Sequence, residues 1–269
     1  MEFDQYLNSM PLLHSWDGGT TWNSGGFSSE ELGTLHQFLR GRLHEHATLL
    51  ETGAGNSTIM MLFLQPARII SIAPDQELFG RIYEFCRTGG IPTNSLEVHV
   101  DGSQWVLPKL AADNRSLDPI LDFALIDGCH SWPTCFVDLE YTNAMLKRDA
   151  YLLIDDVQLH SVKEMARLLT EHPNFSLALD LGKSLVFKKL TNDRNLGGWV
   201  EQPYIVRRWK EYMRYPNPYA LDEFRARRLT NIAHFFGRRL PQRIQRQFSG
   251  KSAKSRSPRA TATSDASRT

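Results

Sequence analysis

The stretch TLLETGAGNSTIMML, residues 48–62, decides the fold. An apolar run leads into a turn that contains Gly53 and Gly55, and the chain continues with the residue spacing of a helix. Glycines in such a turn let the backbone approach a ligand, and the N-terminus of the helix presents unpaired N–H groups to that ligand. A dinucleotide fingerprint would have a third glycine where this chain has Thr58. The turn therefore predicts a nucleotide-type site and disfavours a pyrophosphate ligand.

The segments that follow alternate between short apolar runs and amphipathic stretches. This rhythm predicts strands at 48–52, 68–73, 95–100, 122–127 and 150–155, and helices at 56–65, 75–88, 103–112, 132–147 and 160–172. Two further strands, FSLALDL and SLVFKKL, are separated only by Gly182 and Lys183, a connection too short for a crossover helix. We therefore predict a Rossmann-like, doubly wound α/β fold with a mostly parallel seven-stranded sheet and an antiparallel C-terminal hairpin.

The overall composition excludes several classes of protein. The formal net charge is +1, which disfavours a nucleic-acid partner for the chain as a whole. Three cysteines without a CxxC pair indicate neither a disulfide framework nor a zinc site. The N-terminus lacks the pattern of a signal peptide, and no apolar run is long enough to span a membrane. We expect a cytoplasmic protein without a membrane partner, and the composition leaves open whether it forms a homo-oligomer.

An acid precedes the glycine turn, because Glu51 lies two residues before Gly53 at the end of the first strand. A carboxylate at that position suits a cationic ligand better than a phosphate-bearing one. The sequence Glu51-Thr52-Gly53-Ala54-Gly55 resembles the first motif of class I S-adenosylmethionine-dependent methyltransferases, an acid, any residue, then Gly-x-Gly. The resemblance implies S-adenosylmethionine as cofactor, and it assigns cofactor contacts here to Glu51, Gly53, Gly55, Asn56 and Ser57.

The resemblance also concerns the next two strand ends. The family commonly has an acid for the ribose hydroxyls at the end of the second strand, where this chain has Ala73. Asp75 either substitutes for that acid or caps the next helix. The family often contacts the adenine after the third strand, which implies Asp101 and Ser103, although a helix N-cap is the alternative for Ser103.

Carboxylates end two further apolar strands, in DFALIDGCHSW and YLLIDDVQLH. Asp127, Asp155 and Asp156 should converge at the carboxyl edge of the sheet, where ligands bind in open α/β folds. Carboxylates that share a crevice repel one another unless they take up protons or bind a divalent cation, and Mg²⁺ prefers oxygen ligands. His130, three residues after Asp127, is a candidate base for a substrate hydroxyl.

The two acidic stretches together resemble the metal-dependent branch of the superfamily, similar to macrocin-type and other sugar or natural-product O-methyltransferases. The resemblance covers residues 28–190 and implies that Asp127, Asp155 and Asp156 bind Mg²⁺, that Asp127 also contacts the cofactor, and that His130 is the general base. The family often has an acid where this chain has Cys129. The expected reaction is methylation of a hydroxyl group on a small molecule.

Other interpretations of these residues remain. Asp155 and Asp156 are also typical of a helix cap, His130 of a hydrogen-bonded turn, and His160 is a second candidate base. The rival functions are an NAD(P)-dependent oxidoreductase and a non-catalytic binding module with the same fold. Trp16, Trp22 and Trp132 could line an acceptor pocket or serve in packing.

The chain divides into four predicted segments. Residues 1–27 form a loop that is either a lid over the ligand or an arm packed on the surface, and residues 28–191 form the methyltransferase domain. Residues 192–248 form a helical basic extension, and residues 249–269 a disordered tail. Between residues 225 and 259 the chain has eleven Lys or Arg and no acid, so this segment is either an anion-binding tail or a solvated extension.

Overall fold

Seven strands form one sheet in the order β3-β2-β1-β4-β5-β7-β6. The structure is a computed structural model, and it describes residues 1–15, 17–114 and 118–212. The strands are β1 (Thr48–Thr52), β2 (Arg68–Ile72), β3 (Leu96–His99), β4 (Leu121–Ile126), β5 (Leu146–Ile154), β6 (Phe175–Asp180) and β7 (Leu185–Lys189). The helices are α1 (Phe3–Asn8), α2 (Ser29–Arg40), α3 (Asn56–Phe63), α4 (Gln76–Gly89), α5 (Ser103–Asp113), α6 (Thr134–Met145), α7 (His160–Glu171) and α8 (Pro203–Tyr212).

The pairing of the strands confirms the predicted fold class. β3, β2, β1, β4 and β5 are parallel neighbours, whereas β7 is antiparallel to both β5 and β6. Six strands therefore share one direction, and the C-terminal hairpin supplies the reversed strand. The largest difference from the predicted boundaries is at β5, which begins at Leu146, before the predicted start at residue 150, because the chain passes from α6 into the strand with no intervening loop.

Two hydrophobic clusters cover the two faces of the sheet. Successive strand residues point to opposite faces, so Phe123 and Leu125 join the cluster beneath α1–α4, while Ala124 and Ile126 join the cluster beneath α5–α7. Both faces are buried, which explains why the central strands are continuous apolar runs. The same arrangement leaves the polar residues that follow the strands at the carboxyl edge of the sheet.

The N-terminal segment contains a short helix where the sequence analysis expected irregular structure throughout. α1 places the aromatic rings of Phe3 and Tyr6 on one side, and Tyr6 is fully buried in the first cluster. The ring of Phe3 stacks on His36 of α2 with 3.7 Å between centroids. Tertiary packing against α2 and α3 therefore stabilises a helix that is too short to be recognised from its periodicity.

Residues Met1–Trp209 form one compact unit. The predicted disordered tail, the basic segment 225–259 and most of the predicted helical extension lie outside the described residues, as does Trp16. Among the residues that the structure describes, no helix combines the length and the apolar character needed to cross a bilayer.

Candidate active site

The glycine turn after β1 packs directly against the turn after β4. Gly53 has φ +85°, a left-handed conformation that favours glycine, and a Cβ atom at this position would lie 2.0 Å from the carbonyl oxygen of Asp127. Backbone hydrogen bonds join the strand ends: the Gly53 N–H donates to Ile72 O (2.9 Å) and the Asp127 N–H to Thr52 O (2.9 Å). The turn therefore needs glycine for close approach as well as for conformation.

A cavity of about 790 Å³ opens at this edge of the sheet. Most of the predicted site residues line it, namely Gly53, Gly55, Asn56, Ser57, Asp75, Asp101, Ser103, Asp127, His130 and Asp156. Trp105 of α5 also lines the cavity, although the sequence analysis gave it no role. The predicted residues come together because each follows a strand, or begins the helix after it, at the same edge.

Glu51 lies beneath the turn rather than on the cavity wall. Its side chain is fully buried and accepts hydrogen bonds from the hydroxyl groups of Ser57 (2.8 Å), Ser71 (2.6 Å) and Thr58. Burial raises the pKa of Glu51 to about 7, although the three hydroxyl donors oppose that rise. The structure thus places Glu51 where it fixes the shape of the glycine turn, and not where it faces a ligand directly.

The residues predicted to contact the nucleoside have local partners of their own. Asp75 caps α4, accepting from the Leu78 N–H at 3.0 Å, so the capping interpretation holds, and Asp75 also lines the cavity. Asp101 accepts from the Gly102 N–H at 2.7 Å. Ser103 is the first residue of α5, whose N-cap is Gly102, so the N-cap interpretation of Ser103 is wrong.

An N-terminal strap, residues 11–15 and 17–27, covers one side of the cavity. His14 lies on its wall, with Nε2 2.7 Å from the carbonyl oxygen of Ala54 and 2.9 Å from where a Cβ on Gly55 would be. Asn23 fastens the strap, since its Oδ1 accepts from the Leu13 N–H at 2.9 Å. No motif marks His14 or Asn23, and only the loop composition pointed to a segment over the ligand.

His130 lies on the cavity wall between two carboxylates. Its Nε2 is 3.5 Å from Oδ1 of Asp127, and its Nδ1 is 3.7 Å from Oδ2 of Asp156. Asp156 has φ +57°, a conformation that Asp tolerates better than most residues. The interaction with Asp127 raises the pKa of His130 against the opposing effect of burial, and the charges of Asp156 and Asp155 add to the rise. Burial raises the pKa of Asp127 to about 7.

Asp155 is not part of this group. Its side chain is fully buried, with Oδ2 2.7 Å from the Lys183 ammonium and Oδ1 accepting from the Ser184 hydroxyl. The side chains whose ligand atoms lie within 4.8 Å of one another are Asp127, His130 and Asp156. The predicted set of three carboxylates therefore does not fit a shared divalent ion, because both oxygens of Asp155 are occupied and a cation already lies beside it.

The remaining group offers two carboxylate oxygens and one imidazole nitrogen. Asp127 and Asp156 have the oxygen ligands that suit a hard cation, whereas His130 would add a nitrogen. An imidazole nitrogen that binds a metal cannot also accept a proton from a substrate. His130 would then be either a ligand or a base at that nitrogen, and the two roles predicted for this site compete.

Several other predicted residues lie apart from this centre. His160 is exposed at the start of α7 and outside the cavity lining. Trp132 is 64% exposed, with its ring 4.5 Å from that of Phe136, and Trp22 is 38% exposed.

Cys129, by contrast, lines the cavity, with its sulfur 2.9 Å from the Ser131 hydroxyl, and that contact lowers the pKa of the thiol.

Asp138 of α6 is a buried acid to which the sequence analysis gave no role. Its side chain is fully buried, and burial raises its pKa to about 6 against the opposing effect of the Ser103 and Thr52 hydroxyls. One of its oxygens is 3.4 Å from the position that a Cβ on Gly128 would take. Asp138 therefore lies close to Gly128, in the turn that carries Asp127 and His130.

The sheet order, the glycine turn after β1 and the ligand cavity at the carboxyl edge define the class I methyltransferase fold. Residues 50–157 match the family model described as a methyltransferase domain. A search of curated proteins found no match. The match of residues 50–157 to a methyltransferase domain, together with the fold, supports an S-adenosylmethionine-dependent methyltransferase over the oxidoreductase alternative.

Two solved structures illustrate the likeness. The chain is similar to the O-methyltransferase TomG from Streptomyces achromogenes, involved in tomaymycin synthesis and solved with S-adenosylmethionine, at 16% identity and a TM-score of 0.54, covering 70% of this chain and 96% of that one. An O-methyltransferase from Bacillus cereus, solved in complex with SAH, gives 15% identity and a TM-score of 0.51, covering 62% and 84% respectively. At such identities the likeness establishes the fold.

Proposed function

We propose that the protein transfers the methyl group of S-adenosylmethionine to a hydroxyl group of a small molecule, with His130 as the general base. The observation that carries the proposal is the position of His130 on the wall of the donor cavity, flanked by Asp127 and Asp156. An imidazole with a raised pKa is a stronger base than a free one. The two similar structures described as O-methyltransferases agree with this choice but do not carry it.

The reaction is a displacement at carbon. The acceptor oxygen forms the new O–CH₃ bond as the S–CH₃ bond breaks, and the electron pair of that bond passes to sulfur and removes its positive charge. The hydroxyl proton passes to His130. Because Nε2 is enclosed beside Asp127, Nδ1 on the side of Asp156 receives the proton. Asp127 and Asp156 then stabilise the imidazolium that forms.

The donor site predicts selective binding of the methyl donor. We expect calorimetry to show saturable binding of S-adenosylmethionine and of S-adenosylhomocysteine, and no binding of NAD at the same concentrations, because the turn lacks the third glycine of a pyrophosphate site. The control is a protein in which Gly55 is replaced by Leu, since a side chain there would meet Nε2 of His14. Binding of NAD alone, or of neither ligand at millimolar concentration, would contradict the assignment.

A second candidate is metal-assisted transfer, favoured by the short distances within Asp127, His130 and Asp156. Asp127 and Asp156 would hold the ion, and a bound Mg²⁺ would lower the pKa of a substrate hydroxyl. EDTA distinguishes the two candidates. With His130 as the base, we expect the initial rate of transfer to stay within about twofold in excess EDTA, an effect far below that of losing a general base. A complete loss that added Mg²⁺ restores would establish the metal-assisted reaction.

The same proposal includes the class of methyl acceptor, the cellular location and the oligomeric state of the enzyme. The strap encloses one side of the cavity, which suits a small molecule better than a polymer. A screen of metabolite pools with isotopically labelled donor would identify the acceptor by transferred label. A cytoplasmic location remains a proposal from the cysteine content, and sedimentation would measure whether the protein forms a homo-oligomer.

A further inference from the structure

The turn between β6 and β7 lies beside the end of β5. β5 and β7 are antiparallel with Ile154 opposite Leu185, so the residues just before Leu185 stand next to those just after Ile154. The carbonyl oxygen of Lys183 accepts from the Val157 N–H at 2.9 Å, which fixes this register beyond the strands. The hairpin therefore brings Lys183 and Ser184 to the acidic edge, although neither belongs to a parallel strand.

The Lys183 ammonium lies among the acids that the sequence assigns to a metal. Its Nζ is 2.7 Å from Oδ2 of Asp155 and 3.6 Å from Oδ1 of Asp156. Asp155 has no exposed surface and keeps Ser184 on its other oxygen. Buried carboxylates need a compensating positive charge, and here the chain supplies it.

The same ammonium also contacts the N-terminal strap. Nζ donates to the carbonyl oxygen of Gly25 at 2.8 Å and lies 4.7 Å from the centre of the Phe27 ring. Phe27 is buried in the first hydrophobic cluster, and Gly25 lines the donor cavity. A single side chain thus joins the acids after β5 to the cover of the cavity.

We propose that Lys183 is a positioning residue that takes the electrostatic place of a divalent ion beside Asp155 and Asp156 and holds the strap at Gly25 over the donor cavity. The inference deepens the proposed function and rests on it only for the role of the site in methyl transfer. Both of its parts, the neutralisation of the carboxylates and the anchoring of the strap, can be measured without a methyl acceptor. Lys183 does not touch the transferred methyl group. It neutralises Asp155, leaves Asp156 available to His130, and fixes the strap.

The first test measures metal affinity in the full-length protein. Mn²⁺ serves as the probe because it prefers similar ligands to Mg²⁺ and is detected by electron paramagnetic resonance. We expect the wild type to bind Mn²⁺ no more tightly than the millimolar range. Lys183→Met should bind at least about tenfold more tightly, a change of about 1.4 kcal/mol, because the ammonium beside Asp155 is lost. Adding Asp156→Asn to the Met variant should abolish the gain.

The second test measures the strap. Hydrogen exchange of peptides that cover residues 22–27 should accelerate several-fold in Lys183→Met, because the Gly25 anchor is lost. The matched control is Lys188→Met on the same hairpin, whose ammonium pairs with the exposed Asp149 at 2.8 Å and should change neither reading. Lys183→Arg keeps the charge and should keep weak Mn²⁺ binding.

The outcomes separate the inference from the proposed function. Equal Mn²⁺ affinity in the wild type and Lys183→Met, whether tight or undetectable, would overturn the counter-cation role. Unchanged exchange in the strap would overturn the positioning role. Equal Mn²⁺ gains in the Met and Arg variants would mark a packing defect and would overturn the counter-cation role, because Arg keeps the charge. Failure to find any methyl acceptor would count against the proposed function and leave both measurements intact.

Discussion

Replacement of His130 by glutamine is expected to lower kcat/KM for the acceptor by about 10²–10⁴-fold, the usual contribution of a general base. Glutamine keeps a polar side chain of similar reach between Asp127 and Asp156, but it cannot accept the hydroxyl proton. Because the loss concerns the chemical step, the dissociation constant for S-adenosylmethionine should stay within a few-fold of the wild-type value. Steady-state kinetics and calorimetry on the same preparation check both statements.

The matched control is His160→Gln, since His160 is exposed at the start of α7 and outside the cavity. Its kcat/KM should equal that of the wild type within about twofold, well below the effect of a base. If instead His160→Gln were inactive and His130→Gln active, the base would be the second candidate from the sequence. A His130→Gln protein with wild-type kinetics would leave His130 as a turn residue only.

The pH profile gives an independent reading of the same group. The neighbouring carboxylates raise the pKa of His130 above its ordinary value of 6.5, and the base acts in its neutral form. The rate should therefore be low at acidic pH, rise as the pH increases through that raised pKa, and level off above it. The rising limb should disappear from the residual activity of His130→Gln. A wild-type rate that falls over this range would contradict the base role.

Replacement of Gly53 by alanine is expected to destabilise the fold by about 3–5 kcal/mol, the range of severe backbone and overpacking defects. The added Cβ would lie 2.0 Å from the carbonyl oxygen of Asp127 and 2.7 Å from its carbonyl carbon, and backbone atoms cannot rotate away. The left-handed conformation of Gly53 adds its own cost for any other residue. The free energy of unfolding from urea titration measures the sum.

Gly182→Ala separates the two causes. Gly182 has φ +84°, nearly the same as Gly53, but among the described residues, apart from its own chain neighbours, no heavy atom lies within 4 Å of the position of its Cβ. Its substitution should cost only about 1 kcal/mol, the price of the left-handed conformation alone. The difference between the two variants is then the cost of forcing apart the turns after β1 and β4. Equal losses in the two variants would show that these turns yield easily.

The sequence predicted the edge of the sheet well and the directions of individual side chains poorly. Alternating apolar runs and amphipathic helices identify each strand, and a polar residue after a strand must lie at its carboxyl end, which placed Asp127 and His130 correctly on one edge. Side-chain direction depends on neighbours that periodicity does not encode. Glu51 turned to three hydroxyl groups below the turn, and Asp155 turned to Lys183.

The position of Lys183 at the acidic edge follows from the sequence pattern. The hairpin was predicted from its short connection, and an antiparallel strand beside β5 must begin at the carboxyl edge of the parallel strands. The turn residues should then meet Asp155 and Asp156, so the lysine between the two strands had a physical signal. His14 and Asn23 had none, because the strap follows no regular pattern and its position depends on packing and on single hydrogen bonds.

The burial of Tyr6, Leu13 and Phe27 shows that the folded unit of this chain is larger than the segment that matches the family model. The matched segment spans residues 50–157. The hydrophobic cluster on one face of its sheet also contains side chains that precede this segment, and Val186, which follows it. A gene fragment trimmed to the recognisable segment would lack β6 and β7 and would expose apolar surface on both faces. An expression fragment of residues 1–209 would instead keep this compact unit together with all the described residues of both clusters.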